Sequence, residues 1–110
     1  MKKQENFNGT ILVAVPSKKE EFSQLASYNG SDINVDVVMV NCSSVDQIPA
    51  KLEKLLEQTK TAEKPDKKRL EYIQSLLDKM PKKTDVPRAL LSRVRRNFPT
   101  ISAEKCIYLP

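Results

Sequence analysis

The chain has 110 residues, of which 39% are hydrophobic and 30% are charged, as is typical of one compact domain. It contains no histidine, so it lacks the usual general base near neutral pH and the commonest nitrogen ligand for metals. The net charge is +5, and it is uneven. Residues 1–59 carry six lysines and eight acidic residues, whereas residues 60–110 carry thirteen basic and six acidic residues. A basic second half favours an anionic partner.

The first nine residues are polar and charged around Phe7, which predicts a flexible arm at 1–9 ahead of a single domain at 10–110. Thr10–Val15 is an apolar run rich in β-branched residues and closed by Pro16. This pattern predicts a strand covered on both faces. The run is too short for a signal peptide or a membrane span, so we expect a cytoplasmic protein with no membrane partner.

The next segment has the features of a helix. Ser17 and Glu20 have the S-x-x-E spacing of a capping box, and Asn29-Gly30 is a common helix end. The inner face of this predicted helix consists of Phe22, Leu25 and Ala26.

A second strand is predicted at Val35–Cys42, because its residues become wholly apolar toward the end. Ser44 and Gln47 then form an S-x-x-Q capping pattern for a second long helix. Its apolar face comprises Ile48, Leu52, Leu55 and Leu56. A third helix follows, with Pro65 as its first residue. The apolar positions of the third helix are Leu70, Ile73, Leu76, Leu77 and Met80.

The most informative segment is a predicted amphipathic helix at residues 85–98, capped by Asp85 and stopped by Pro99. Val86 and Pro87 occupy its first turn, where a missing amide costs little. At about 100° per residue, one arc of roughly 100° holds the apolar residues Leu90, Leu91, Val94 and Phe98. The opposite side carries four of the five arginines of the chain: Arg88, Arg93, Arg95 and Arg96.

A final short strand is predicted at Cys106–Leu109. The fold class is therefore α/β, in the order β-α-β-α-α-α-β, with a short, mainly parallel three-stranded sheet and flanking helices. Such a narrow sheet leaves edges open. We therefore expect that the chain can form a homo-oligomer by pairing at a sheet edge, such as that of the final strand.

Catalytic and cofactor patterns are absent from the sequence. There are two glycines and no glycine-rich phosphate loop, and Cys42 and Cys106 form no ligand cluster, so we predict no cofactor and no metal. Both cysteines lie in apolar runs, which predicts buried, inert thiols. Ser17, Ser43 and Ser44 follow predicted strands, where open α/β sheets place ligands, but helix capping explains them equally well.

The arginine helix carries the functional hypothesis. Guanidinium groups bind phosphates bidentately, so we interpret the chain as a non-enzymatic nucleic-acid- or polyanion-binding module using Arg88, Arg93, Arg95 and Arg96, with Lys82 and Lys83 in support. Docking of the same face on an acidic protein, as an interaction subunit or inhibitor, is the alternative. A metal-dependent nuclease using Asp46 is a third hypothesis. An ordinary solvated basic face accounts for the same pattern without a partner.

Overall fold

The computed structural model describes residues 7–19 and 21–110. Its strands are β1 (Phe7–Ala14), β2 (Phe22–Asn29), β3 (Ile33–Val40) and β4 (Cys106–Leu109), and its helices are α1 (Ile48–Lys60), α2 (Lys67–Lys79) and α3 (Arg88–Asn97). Single 3₁₀ turns lie at Val45–Gln47, Met80–Lys82 and Ala103–Lys105. The predicted α/β class is confirmed. Residues 1–6 of the predicted arm lie outside the described residues, and β1 already begins at Phe7.

The sheet has four strands in the order β2-β3-β1-β4. β1 and β3 are parallel, whereas β2 is antiparallel to β3 and β4 is antiparallel to β1. The prediction of three mainly parallel strands is therefore wrong in number and wrong for the direction of β4, whereas β1 and β3 are parallel as predicted. The additional strand is β2, which forms a hairpin with β3 that is closed by a hydrogen bond from the Gly30 N–H to the Ile33 oxygen (2.7 Å).

The predicted first helix is a strand, and a β-bulge explains the error. The pairing of β2 with β3 shifts by one residue between Gln24 and Ala26. A bulge inserts one extra residue and so interrupts the alternation of a strand. Phe22 packs against one core, whereas Leu25 and Ala26 pack against the other. Apolar residues at these three positions have the i, i+3, i+4 spacing of a helix, although the segment is extended.

Helices cover both faces of the sheet. Leu12 and Ala14 face α1 and α2, whereas Ile11 and Val13 face α3, which explains the continuous apolar run of β1. The predicted inner faces of α1 and α2 supply buried side chains to their core: Ile48, Leu52, Leu55, Ile73, Leu76 and, in the following turn, Met80. Full burial of each Leu or Ile contributes about 1.5–3 kcal/mol.

Two predicted helix starts are displaced. Pro65 is not the first residue of α2, because Asp66 caps the helix by accepting hydrogen bonds from the backbone N–H groups of Lys68 (3.0 Å) and Arg69 (3.2 Å). Asp85 does not cap α3, which begins at Arg88 after Pro87 and has no side-chain cap. A proline disfavours helical conformation in the residue before it, so the predicted first turn at 85–87 does not form.

The final strand has its predicted bounds, but its outer edge is not open. The backbone N–H of Thr84 donates to the Tyr108 oxygen (2.9 Å), and the Tyr108 N–H donates to the Thr84 oxygen (2.8 Å). The N–H of Cys106 donates to the oxygen of Ala103 in the adjoining 3₁₀ turn. Chain segments of the same molecule therefore occupy the edge of β4.

Candidate functional site

The predicted apolar face of α3 holds this helix on the sheet. Leu90 and Val94 are fully buried, while Leu91 and Phe98 are half-buried and pack against the same core. The sheet residues of that core are Ile11, Val13, Ile33, Val35, Val37, Cys106 and Tyr108. Because the inner face is fixed, the opposite face of α3 is directed to solvent.

α3 crosses the sheet from the β4 edge to the β2 edge. The segment that leads into α3 is paired with β4 through Thr84 and Tyr108. At the other end of the helix, the Nδ2 group of Asn97 donates a hydrogen bond to the Tyr28 hydroxyl on β2 (2.9 Å). The carboxyl-terminal turn of α3 therefore lies beside the β2 edge.

The outer face of α3 carries three exposed arginines, Arg88, Arg95 and Arg96. Within the ranges 7–19 and 21–110, none of the three forms a hydrogen bond or an ion pair. Ala89 and Ser92, which are small and exposed, lie in the same arc. Arg95 and Arg96 also occupy the last helical turn, where a positive charge interacts favourably with the helix dipole.

Arg93 differs from the other three arginines. Its Nη1 group donates to the Asp32 carboxylate over 2.7 Å, and the two side chains are 42% and 43% exposed. Asp32 lies in the turn between β2 and β3, and its backbone oxygen accepts a hydrogen bond from the Phe7 N–H (3.1 Å). The sequence does not reveal Asp32 as the partner of Arg93, because a contact between residues 61 positions apart leaves no periodic signal.

Lys82 and Lys83 are exposed but do not lie on α3. They follow α2, between Met80, which packs into the core beneath α1 and α2, and Thr84, which pairs with β4. The two lysines therefore extend the basic surface at the β4 edge, near the start of α3. The structure thus places Arg88, Arg95 and Arg96 on one face and the lysines at its end.

The serines that follow the strands are held in place by hydrogen bonds within the protein. The Ser17 N–H donates to Oδ1 of Asn41, and Nδ2 of Asn41 donates to the Ser17 oxygen, each over 2.8 Å. The Ser43 N–H donates to Oε1 of Gln47 (2.9 Å), so Gln47 reaches back to Ser43, and Ser44 makes no side-chain cap. These hydrogen bonds give the residues at the carboxyl ends of β1 and β3 a structural role.

A cleft of about 320 Å³ opens at this end of the sheet, lined by Asn41, Cys42, Ser43, Gln47, Ala50, Lys51 and Lys54. Lys51 forms an ion pair with Glu21, and this hydrogen bond lowers the pKa of the Glu21 carboxyl. Lys105 donates through Nζ to the Ser43 oxygen (2.7 Å). Of the two lysines that line the cleft, Lys51 is therefore already bound to a group of the protein.

The acids and thiols do not assemble a reactive centre in the described part of the chain. Asp46 is exposed in a 3₁₀ turn, and no group of three or more His, Cys, Asp or Glu side chains within residues 7–19 and 21–110 could hold a metal ion. Cys106 is buried, as predicted, whereas Cys42 is half-buried. Burial raises the pKa of both thiols, and that of Cys106 reaches about 11. Both thiols are therefore protonated at neutral pH.

Comparison with known protein families, curated proteins and solved structures finds no match for this chain. None of the helices in the described ranges combines the length and the apolar character needed to cross a membrane. The geometry of α3 and its surroundings is therefore the basis on which a function is inferred.

Proposed function

We propose that this protein is a non-enzymatic module that binds duplex nucleic acid through the phosphate backbone, using the outer face of α3. The observation that carries the proposal is a set of three exposed guanidinium groups, those of Arg88, Arg95 and Arg96, on a helix fixed by its buried face. Arginine matches phosphate geometry with a planar fork of N–H donors. Because the helix is already fixed, binding through these guanidinium groups does not require a flexible segment to become ordered.

The aromatic side chains favour a duplex over a single strand. Proteins that bind single strands without sequence preference stack bases on accessible aromatic rings. The chain has three Phe, three Tyr and no Trp. All six rings lie in the described part of the chain, and each is buried or half-buried. A surface without exposed rings is suited to phosphate contacts.

The composition of the outer face also favours phosphate over an acidic protein. Protein interfaces obtain most of their affinity from central aromatic and arginine anchors that fill pockets on the partner. The exposed arc of α3 contains arginine, alanine and serine but no aromatic residue or methionine. Its small residues, Ala89 and Ser92, let the helix backbone approach a flat or grooved surface.

The dimensions of the basic surface fit a duplex. The ten residues of α3 span about 15 Å at 1.5 Å per residue, and duplex DNA carries about one phosphate charge per 1.7 Å of its axis, so several phosphates lie within the length of the helix. Lys82 and Lys83 lie beyond the start of the helix, at the β4 edge, where they extend the surface toward further phosphates. Contacts of this kind fix position on the duplex and are largely independent of base sequence.

The proposal includes the cytoplasmic location expected from the sequence. Cys42 and Cys106 are free thiols in the structure, which is the usual state of cysteine in a reducing compartment. Neither thiol lies in α3. Binding through α3 is therefore expected to be unaffected by reducing agents.

The test compares two triple variants that remove the same charge. Arg88→Gln/Arg95→Gln/Arg96→Gln removes the proposed contacts, whereas Lys60→Gln/Lys67→Gln/Lys68→Gln removes three exposed charges from α1 and α2. Fluorescence anisotropy with a labelled mixed-sequence duplex of about 20 base pairs measures affinity at about 0.1 M salt. Circular dichroism establishes that both variants are folded.

The arginine variant should bind the duplex at least about tenfold more weakly than wild type, and the lysine variant should stay within about threefold. Equal losses in the two variants would mean that net charge, and not α3, attracts the duplex. Retention of an acidic protein in place of nucleic acid, after nuclease treatment of an extract at moderate salt, would favour the interaction-subunit alternative.

A further inference from the structure

The two edges of the sheet differ in what covers them. The edge of β4 is occupied by Thr84 and by the 3₁₀ turn at Ala103–Lys105. The edge of β2 pairs only with β3, and no backbone hydrogen bond from a described residue reaches its outer side. In the described part of the chain, β2 is therefore the edge that still has unpaired backbone donors and acceptors.

The ladder identifies which groups of β2 point outward. Gly30 donates to the Ile33 oxygen, so the Gly30–Ile33 pair is hydrogen-bonded, and such pairs alternate along an antiparallel ladder. Tyr28 and Ala26 consequently face β3, whereas the backbone groups of Ser27 and Asn29 face away from it. The bulge lies before Ala26, so the regular part of the open edge is Ala26–Asn29.

The side chains of β2 lack the features that keep sheet edges apart. Natural edge strands are protected by charged residues, by proline or by bulges. β2 contains no charged residue and no proline, although 30% of the chain is charged, and its bulge leaves Ala26–Asn29 regular. Ser27 and Asn29 are exposed, and both side chains can donate and accept hydrogen bonds.

We propose that β2 pairs antiparallel with β2 of a second copy of this chain, joining two four-stranded sheets into one. A two-fold pairing sets each β2 residue against an uncharged residue of the partner, so no like charges meet. The assembly closes at two copies, because the described residues of each copy leave one edge open and the β4 edge is already occupied. Main-chain hydrogen bonds from Ser27 and Asn29 supply the contact.

The pairing also brings two copies of α3 together. Their role in binding a duplex rests on the proposed function. The two-fold axis of an antiparallel edge pairing is perpendicular to the sheet, so both copies of α3 lie on the same face. Asn97 contacts Tyr28 on β2, so the last turns of the two helices, with Arg95 and Arg96, lie on either side of the axis. A duplex that spans both copies would meet two sets of arginines and bind more tightly than to one.

The experiment measures mass without nucleic acid, so it is independent of the proposed function. Sedimentation equilibrium from about 10 to about 500 µM should show the mass rising from 12.5 kDa toward twice that value. Ser27→Pro removes an outward N–H and should raise the dissociation constant at least about tenfold. Ser27→Ala is the matched control, because it loses the same hydroxyl bond to Asp36 (2.7 Å) and keeps the N–H.

A second variant covers the case in which Ser27→Pro does not fold. Asn29→Lys places like charges near each other in the pairing and should weaken it about threefold or more. Gln58→Lys adds the same charge on an exposed position of α1 and should leave the mass unchanged. A monomer at every concentration, assembly beyond two copies, or pairing unaffected by both β2 variants would overturn the proposal.

Discussion

Arg93 and Asp32 are separated by 61 positions in the chain, yet their side chains meet at 2.7 Å between Nη1 and Oδ2. The pair links α3 to the turn between β2 and β3, beside the open edge of the sheet. It also divides the predicted basic face, because Arg93 already has an anionic partner while Arg88, Arg95 and Arg96 have none among the described residues. The four arginines should therefore contribute unequally to binding.

The inequality predicts the effect of single substitutions on duplex affinity. Arg96→Gln should weaken binding more than Arg93→Gln, because only the former removes a guanidinium without a described partner. Asp32→Asn should strengthen binding, since it releases Arg93 and removes a negative charge. Anisotropy titrations at one fixed salt concentration measure all three effects. Equal losses of duplex affinity for Arg93→Gln and Arg96→Gln would contradict the expectation that Arg93, which is bonded to Asp32, contributes less to binding.

The same ion pair should contribute little to stability. Both side chains are more than 40% exposed, and exposed pairs of this kind typically contribute about 0.2–1 kcal/mol. A double-mutant cycle with Arg93→Gln and Asp32→Asn, followed by urea unfolding, measures the coupling free energy. We expect a value below about 1 kcal/mol that decreases as salt increases. A coupling above about 2 kcal/mol would mean that the pair fixes α3 on the sheet.

Gly9 should be intolerant of a side chain. Its φ is +140°, and a Cβ at this position would overlap the backbone oxygen of Leu109 on β4. Gly9→Ala should therefore destabilise the fold by about 1–3 kcal/mol from backbone strain, with a further cost from the overlap. Gly30→Ala is the control, because its added Cβ would lie at an ordinary 3.6 Å from Ile33 Cγ2. Similar unfolding midpoints for both variants would refute this account.

The buried thiol predicts a loss of stability at alkaline pH. Burial raises the pKa of Cys106 from its ordinary 9.0 to about 11, so the folded state holds the thiol proton more tightly than the unfolded state. This contribution to stability is fully present below pH 9 and is lost as the pH rises through about 11. Tyr72 and Tyr108, whose pKa values are also raised by burial, act in the same direction.

Thermal melting from pH 8 to pH 11 measures this loss. Cys106→Ala is expected to be less stable at neutral pH, because it leaves a cavity, but its melting temperature should fall less steeply across the alkaline range. If wild type and Cys106→Ala lose stability in parallel from pH 9 to pH 11, the thiol does not titrate as described.

The limits of sequence analysis follow from particular residues. The inner face of α3 was predictable, because Leu90 and Val94 repeat with the helical period that burial on a sheet imposes. β2 was not, because one extra residue between Gln24 and Ala26 gives an extended segment the apolar spacing of a helix. The partner of Arg93 was not predictable either, since a hairpin turn brings Asp32 to it only after the strands have paired.

The most direct test of the central claim is the salt dependence of duplex binding. Three phosphate contacts from Arg88, Arg95 and Arg96 contribute about −2.7 to the slope of log affinity against log salt, which corresponds to about 40-fold weaker binding between 50 and 200 mM salt. In the Arg88→Gln/Arg95→Gln/Arg96→Gln variant the slope should become shallower by about that amount and keep only the contribution of Lys82 and Lys83. An unchanged slope in that variant would contradict the assignment of α3 as the binding surface.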